Sequence, residues 1–334
     1  MRFENDLPML DVPEDQIRLE SALAQVKAGC QVVARHVGPR TITYQVVPVG
    51  DVRVSRVKSA ISDVSVRLDS ATCLCREEGG KLFIELTRDE PEIPNRLDRQ
   101  ETVDPRDILV GFGVGDHPVT IRLEKMPHSI IAGTSGSGKS VLTRNLVRSI
   151  ARIPGSLTMI MDPKGGADYS LPTSAPGRVF LIDKADHIRC WTNIARDEMD
   201  VRQGVRKTPS GLRLDPAAPL VLVFDEIQSV VDDQSIRANL FRILSMGRSA
   251  GVHCILATQA PSAKVLGGNE MRVNAPTRIV LKTATSSDSR VALTESGAEK
   301  LLGSGDAIML YDGKKQRIQV PYLSADNMYN ELEE

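Results

Sequence analysis

The octapeptide GTSGSGKS, Gly133–Ser140, constrains the chain more than any other stretch. Glycine, serine and one lysine cannot fill a hydrophobic core. The apolar segment HSIIA precedes it and the helical stretch SVLTRNLVRSIARI follows. Gly133-x-x-x-x-Gly138-Lys139-Ser140 is the spacing of a phosphate-cradling loop between a strand and a helix. Gly133, Thr134, Ser135, Gly136, Ser137, Gly138, Lys139, Ser140 and Val141 are therefore expected to surround the phosphates of a nucleotide. Backbone N–H groups and the positive end of the following helix would hold the anion. Lys139 would reach the β and γ oxygens, and the Ser140 hydroxyl would ligate Mg2+.

The rest of the C-terminal part suits such a loop. From about residue 107, short apolar runs alternate with helical patterns: HSIIAG, LTMIMD, RVFLID, LVLVFD, HCILAT, TRIVLKT and AIMLY. Continuous apolar runs are those of strands covered on both faces, so a mainly parallel α/β sheet is expected. Upstream, PEDQIRLESALAQVKAG places Leu19, Ala22, Leu23 and Val26 on one helical face, with Gly29 as a stop. QVVARHVGPRTITYQVVPVG reads as two strands and a turn, RVSRVKSAISDVSVRL as an amphipathic helix, and TCLCREEGGKLFIELT as a hairpin. These readings divide the chain into an N-terminal helical extension (1–30), a small α+β domain (31–94), a polar, proline-containing linker (95–106) and an α/β domain (107–334).

Composition narrows the function classes. Apolar residues make up 41 % and charged residues 25 % of 334 residues, as in soluble globular proteins. Neither a signal peptide nor an apolar run of membrane-spanning length is present, so a soluble, cytoplasmic protein is expected. Aromatic residues are only 4 %, which disfavours base stacking as a main binding mode, and the net charge of −1 excludes an all-over basic protein but not a local basic channel. The cysteines Cys30, Cys73, Cys75, Cys190 and Cys254 are odd in number and scattered, which fits a reducing compartment. Cys73 and Cys75 alternate as one face of a strand, and no second ligand pair supports a metal site.

Two further strand ends carry chemistry. PLVLVFDEIQSV ends its apolar run in Asp225-Glu226. Asp225 can hold the hydration shell of Mg2+, and Glu226 can polarise an attacking water, a pair that favours ATP hydrolysis over a kinase reaction. HCILATQAPS ends in Thr258-Gln259, and a polar group at the mouth of a parallel sheet lies beside the ligand. Gln259 is thus a candidate γ-phosphate sensor, the other reading being a polar residue that only satisfies its loop.

These blocks resemble the FtsK/SpoIIIE family of hexameric double-stranded DNA translocases. KMPHSIIAGTSGSGKSVLTRNLVRSI looks like its phosphate-loop block and MIMDPKGG like its Asp-Pro-Lys strand end. RILSMGRSAGVHCILATQAPS and NAPTRIVLKTATSSDSRVALTESGAEKLLGSGDAIML are similar to its two C-terminal blocks. The small upstream unit resembles the family's α domain. The resemblance implies a RecA-like P-loop NTPase domain, ATP and Mg2+ as cofactors, and catalytic roles for Lys139, Asp225, Glu226 and Gln259. It implies that Arg248 reaches the ATP of a neighbouring subunit; a surface salt bridge is the other reading of that arginine. DNA contacts are implied for Arg290, and with weaker support for Lys264 and Arg272. Two positions depart from the pattern: Ala260 replaces an arginine, and Ser286 stands nearest to a missing lysine. Sequence-independent double-stranded DNA, a homohexameric ring and a recruiting protein are the implied partners. Conjugative or genome-packaging DNA transfer, and type VII-like protein secretion, are the alternative functions. The chain ends soon after the last motor strand, without membrane spans or the family's γ domain, which suggests a minimal translocase or a motor core.

Overall fold

The computed structural model describes residues 12–70, 73–88, 92–95, 104–166, 168–169, 178–207, 215, 217–262, 264–266 and 269–333. The chain divides into two compact units, Met1–Glu92 with Val114–Asp116, and Ile93–Gly113 with His117–Glu334.

The smaller unit runs α1 (Glu14–Gln25), β1 (Cys30–Val37), β2 (Thr41–Pro48), α2 (Val54–Leu68), β3 (Cys73–Glu78) and β4 (Lys81–Thr87). Its antiparallel sheet has the order β1-β2-β4-β3. The apolar stripes of both helices, Leu19, Ala22 and Leu23 on α1 and Val57, Ala60, Ile61 and Val64 on α2, share one core with Tyr44, Val46 and Ile84 of the sheet. Tyr44 and Arg35 donate to the Asp15 carboxylate at 2.6 and 2.7 Å, fastening α1 to the two strands. The helix expected as a separate extension, 1–30, is therefore part of this unit, because its apolar face has no other place to be buried. Cys73 and Cys75 face that core as strand alternation requires, and all five cysteines are free.

The larger unit contains β5 (Asp107–Phe112), β6 (Pro118–Arg122), β7 (His128–Ala132), α3 (Lys139–Ala151), β8 (Leu157–Met161), β9 (Val179–Ile182), α4 (Ala185–Arg202) and β10 (Leu220–Phe224). It continues with α5 (Gln234–Met246), β11 (Val252–Thr258), α6 (Asn269–Asn274), β12 (Thr277–Leu281), α7 (Ser286–Leu293), β13 (Asp306–Tyr311), β14 (Lys314–Gln319) and α8 (Ala325–Glu333). One sheet has the order β6-β5-β14-β13-β12-β7-β11-β10-β8-β9. From β12 to β9 it is parallel, and from β13 to β6 its neighbours pair antiparallel. Successive residues of the parallel strands enter opposite cores. Ile131, Val223 and Ile255 join Leu142, Leu146 and Ile150 of α3, whereas Ile130, Leu222 and Leu256 join Leu240 and Ile243 of α5. Helices on both faces leave the ends of the parallel strands as the place for a ligand.

All seven apolar runs form strands; β5, β6 and β14 add to them. The start of the expected linker belongs to the larger unit, since Tyr322 donates its N–H to Pro94 at 2.7 Å and Asn95 forms a parallel bridge with Tyr322. Its centre, 96–103, lies outside the described residues. No helix of the described residues is long and apolar enough to cross a membrane.

Two buried histidines lie in the first two residues of strands of this sheet. His128 accepts the N–H of Cys254 at 3.1 Å, and His253 lies 3.1 Å from the carbonyl of Pro127. Burial, with His253 nearby, pushes His128 down to about 3, and burial pushes His253 down to about 4. Both rings are neutral in the folded chain, whereas histidines of the unfolded chain take up protons near pH 6.5. The unfolded state then binds more protons, so stability falls as pH drops from about 6.5 towards 4. Each histidine should cost up to about 1.4 kcal/mol per pH unit across that window. Thermal unfolding is expected at a lower temperature at pH 5 than at pH 7, and His128→Asn should reduce the difference. Equal midpoints at the two pH values would contradict this.

Candidate nucleotide-binding site

The phosphate loop leaves the sheet between two strands that hold its first residues. Gly133 donates to Thr258 at the end of β11 at 3.2 Å, and Thr134 donates to Lys282 after β12 at 2.9 Å. The chain then bends through Gly136 and Gly138, at φ +74° and +102°. Close packing fixes two of the glycines. A Cβ on Gly138 would lie 2.5 Å from the Gly305 nitrogen, and one on Gly133 would lie 2.6 Å from Ser137 Oγ. Gly305 in turn donates to the Ser137 carbonyl at 2.7 Å, so the turn before β13 braces the loop from behind.

The loop and the first turn of α3 border a cavity of about 530 Å³, with Asp168, Gln259, Ser304, Gly305 and Tyr322 on its other sides. Thr134, Ser135, Gly136, Gly138, Lys139, Ser140 and Val141 line it, while Gly133 and Ser137 do not. The first N–H groups of α3 have no partner within the helix and are the donors an anion would use.

The two motifs meet behind this cavity. Lys139 Nζ donates to the Asp225 carbonyl at 3.0 Å and lies 3.4 Å from Asp225 Oδ1, each side chain only 6 % exposed. Tyr169, fully buried, donates its hydroxyl to Asp225 Oδ1 at 2.8 Å. Burial and the adjacent Asp225 push the phenol well above its usual range, so it stays a donor. Ser140 Oγ donates to Asp168 Oδ2 at 2.8 Å. Glu226 accepts the backbone N–H of Gln259 at 3.0 Å through one oxygen and lies 3.3 Å from Lys164 Nζ through the other. The loop bearing Lys164 is itself folded over Asp162, which accepts the N–H groups of Lys164 and Gly166.

A serine hydroxyl and carboxylates form an all-oxygen donor set, which fits a hard cation such as Mg2+. Among the described residues no group of three or more His, Cys, Asp or Glu gathers as a metal cage.

Arg248 stands apart from this site. It is exposed on the turn Gly247–Ala250, immediately before β11, whereas Gln259 directly follows the same strand. At roughly 3.3 Å per residue the seven-residue strand separates them by about 20 Å. Gln203 donates to Met246 and Ser249, and Arg202 to Ala250, so the turn is held firmly by the end of α4. Arg290 is exposed on α7, whose start is fixed by a capping box between Thr285 and Asp288; Ser286 is the first residue of that helix. Lys264 pairs with Asp232 at 3.2 Å, both largely exposed. Arg272 is turned to the carbonyl of Val291 at 3.4 Å, at the end of α7. Ala260 donates its N–H to Thr258 Oγ1 at 3.2 Å.

Sequence reasoning missed Asp168 and Tyr169, which bring side chains to both motifs, and Gly305. Their only signal was position: the first two follow an apolar strand, and the third lies in a glycine-rich turn before one. The glycine geometry gives a graded expectation. Gly138→Ala combines left-handed φ with backbone overlap and should cost about 2–3 kcal/mol in denaturant unfolding. Gly136→Ala meets nothing within 4 Å and should cost about 1 kcal/mol, from φ alone. Equal losses would contradict the packing argument.

Comparison with known proteins agrees with this architecture. Residues 7–86 match the FtsK alpha domain and residues 94–204 the FtsK/SpoIIIE family. The protein named DNA translocase FtsK of Caulobacter vibrioides is 29 % identical over 368 residues, covering 92 % of this chain and 44 % of its own length. That of Halalkalibacterium halodurans is also 29 % identical, over 354 residues, covering 93 % and 44 %. The chain thus spans less than half the length of these curated relatives. Among solved structures, the pCW3 conjugation coupling protein TcpA, in monomer form with ATPgS, has a TM-score of 0.66 at 18 % identity, covering 96 % of this chain and 99 % of its own. The cytoplasmic domain of the Thermomonospora curvata type VII secretion ATPase EccC has a TM-score of 0.58 at 22 % identity, covering 70 % and 31 %. With the two domain matches in sequence order and the phosphate loop seated in the second, the chain belongs to the FtsK/SpoIIIE family.

Proposed function

We propose that the chain is an ATP-driven motor that moves double-stranded DNA through a homohexameric ring. The observation that carries the reading is the junction of Lys139 with Asp225 beside Glu226. In this reading Gly133–Ser140 would be the phosphate cradle, Asp225 the metal-side carboxylate and Glu226 the water-polarising one, all at one end of one sheet. Bound ATP would draw Lys139 from Asp225 onto the β and γ oxygens. Ser140 and Asp225 would hold Mg2+, which when bound neutralises charge on the transferred phosphoryl. Each Glu226 oxygen accepts one contact, from Gln259 N–H and from Lys164, and keeps a further lone pair with which to accept from the attacking water. Gln259 borders the cavity, which supports reading its amide as the γ-phosphate sensor.

Arg248 lies at the far end of β11 from its own cavity, which favours its use in a neighbour's site. Supplying a cation in trans makes hydrolysis depend on assembly. Arg290, exposed on α7, is our proposed phosphate contact, with Lys264 and Arg272 secondary because each already has a partner. Phosphate contacts carry no base information, which suits a motor that must accept any sequence. Repeated around a ring, one arginine per subunit makes a basic channel without a basic chain. A cytoplasmic location and a recruiting protein complete the proposal.

ATPase rates with and without long linear duplex DNA, at two salt concentrations, test the reading. Stimulation that weakens with salt is expected. An intact ATPase indifferent to DNA would remove the translocase and leave a secretion-type motor. Glu226→Gln should still bind ATP and DNA but hydrolyse at least 100-fold more slowly, and Lys139→Ala should lose nucleotide binding. Arg290→Ala should keep its basal rate and reduce the salt slope of DNA binding by about one.

A further inference from the structure

We propose that Asp168 is a metal-side carboxylate of this nucleotide site, a role no motif gives it. The proposal rests on the reading of the cavity as an ATP site. Asp168 lies on the loop after β8, outside the phosphate loop and outside the Asp225-Glu226 strand end, yet it borders the same cavity. Asp168 Oδ2 accepts from Ser140 Oγ, the expected metal ligand, at 2.8 Å. Two oxygens bound side by side to an octahedral Mg2+ at about 2.1 Å stand about 3 Å apart, so this spacing already suits a shared cation.

The loop is fastened at both ends of that short reach. The Asp168 carbonyl accepts from Arg144, a buried side chain on α3 whose Nε is held by the Leu323 carbonyl at 3.0 Å. Ser140 and Arg144 are one helical turn apart, so one face of α3 grips both the carboxylate and the backbone of Asp168. The next residue, Tyr169, donates to Asp225 Oδ1 at 2.8 Å. The pair Asp168–Tyr169 therefore spans from the loop serine to the strand-end aspartate. An anionic side chain inside a phosphate cavity is repelled by the ligand unless a cation stands between them. Mg2+ supplies that cation, and the carboxylate then favours the metal-loaded nucleotide over the bare one.

Titration of the 334-residue chain with a fluorescent ADP analogue, in Mg2+ and in EDTA, tests this without relying on turnover. The wild type should bind more tightly in Mg2+. Asp168→Asn should lose about tenfold of that Mg2+-dependent gain, while its affinity in EDTA stays level or rises. Asp168→Glu, which keeps the charge, should recover part of the gain. An undiminished Mg2+ gain in Asp168→Asn would overturn the proposal. So would equal tightening in both buffers, the signature of a side chain that only blocks the cavity. A wild type that binds no nucleotide in either buffer would instead overturn the nucleotide reading itself, and this proposal with it.

Discussion

The seating of Lys139 on Asp225 is the contact on which the rest of the larger unit is organised. An ammonium group with almost no access to water needs carbonyl or carboxylate oxygens around it, because burial without them is costly. Asp225 supplies a backbone and a side-chain oxygen, so the end of β10 and the start of α3 are held together. Tyr169 ties the loop after β8 to the same carboxylate. Three segments distant in sequence converge on one aspartate. In the proposed cycle the incoming phosphates compete for its lysine, so nucleotide arrival is felt directly by the strand that bears Glu226.

In the proposed reading, the parallel half of the sheet divides the chemistry between its two ends. The segments after β7, β8, β10 and β11 carry Lys139, Asp168, Asp225 and Gln259, while the turn before β11 carries Arg248. A stiff, fully buried strand cannot bend to bring Arg248 back to its own cavity. Either the arginine serves another molecule's site or it serves none. The anchoring of its turn by Arg202 and Gln203 is the support a group acting on a partner would need, since a freely moving side chain would deliver its charge with less precision.

Much of the fold was legible in the sequence because burial on both sheet faces writes continuous apolar runs such as SIIA, LVLVF and CILA. Helix stripes were equally plain in α1 and α2. What escaped has a physical reason. β14, KKQRIQ, is mostly polar, and pairing with β13 rather than apolar burial makes it a strand. The N-terminal helix looked like an extension because periodicity shows which face must be buried and not what buries it. The placement of the Gly133–Ser140 stretch between a strand and a helix, and of Asp225-Glu226 just after a strand, was legible from spacing and from the apolar runs before them. Asp168 and Tyr169 were not, since an aspartate and a tyrosine in a loop carry no period, and only the fold shows that they touch Ser140 and Asp225. Lys264 and Arg272 stand out by charge and by their place in or beyond the segment after Gln259, and neither feature reveals the carboxylate and carbonyl that engage them.

The central claim is that one working site is assembled from two chains. It is tested most directly by complementation between Lys139→Ala, which lacks a working cradle, and Arg248→Ala, which lacks the donated cation. Each variant alone should show little DNA-stimulated ATPase. Mixed, they should recover a substantial part of it, because some interfaces then join an intact cradle to an intact arginine. A mixture no more active than its components, or Arg248→Ala chains that hydrolyse ATP at full rate by themselves, would contradict the account.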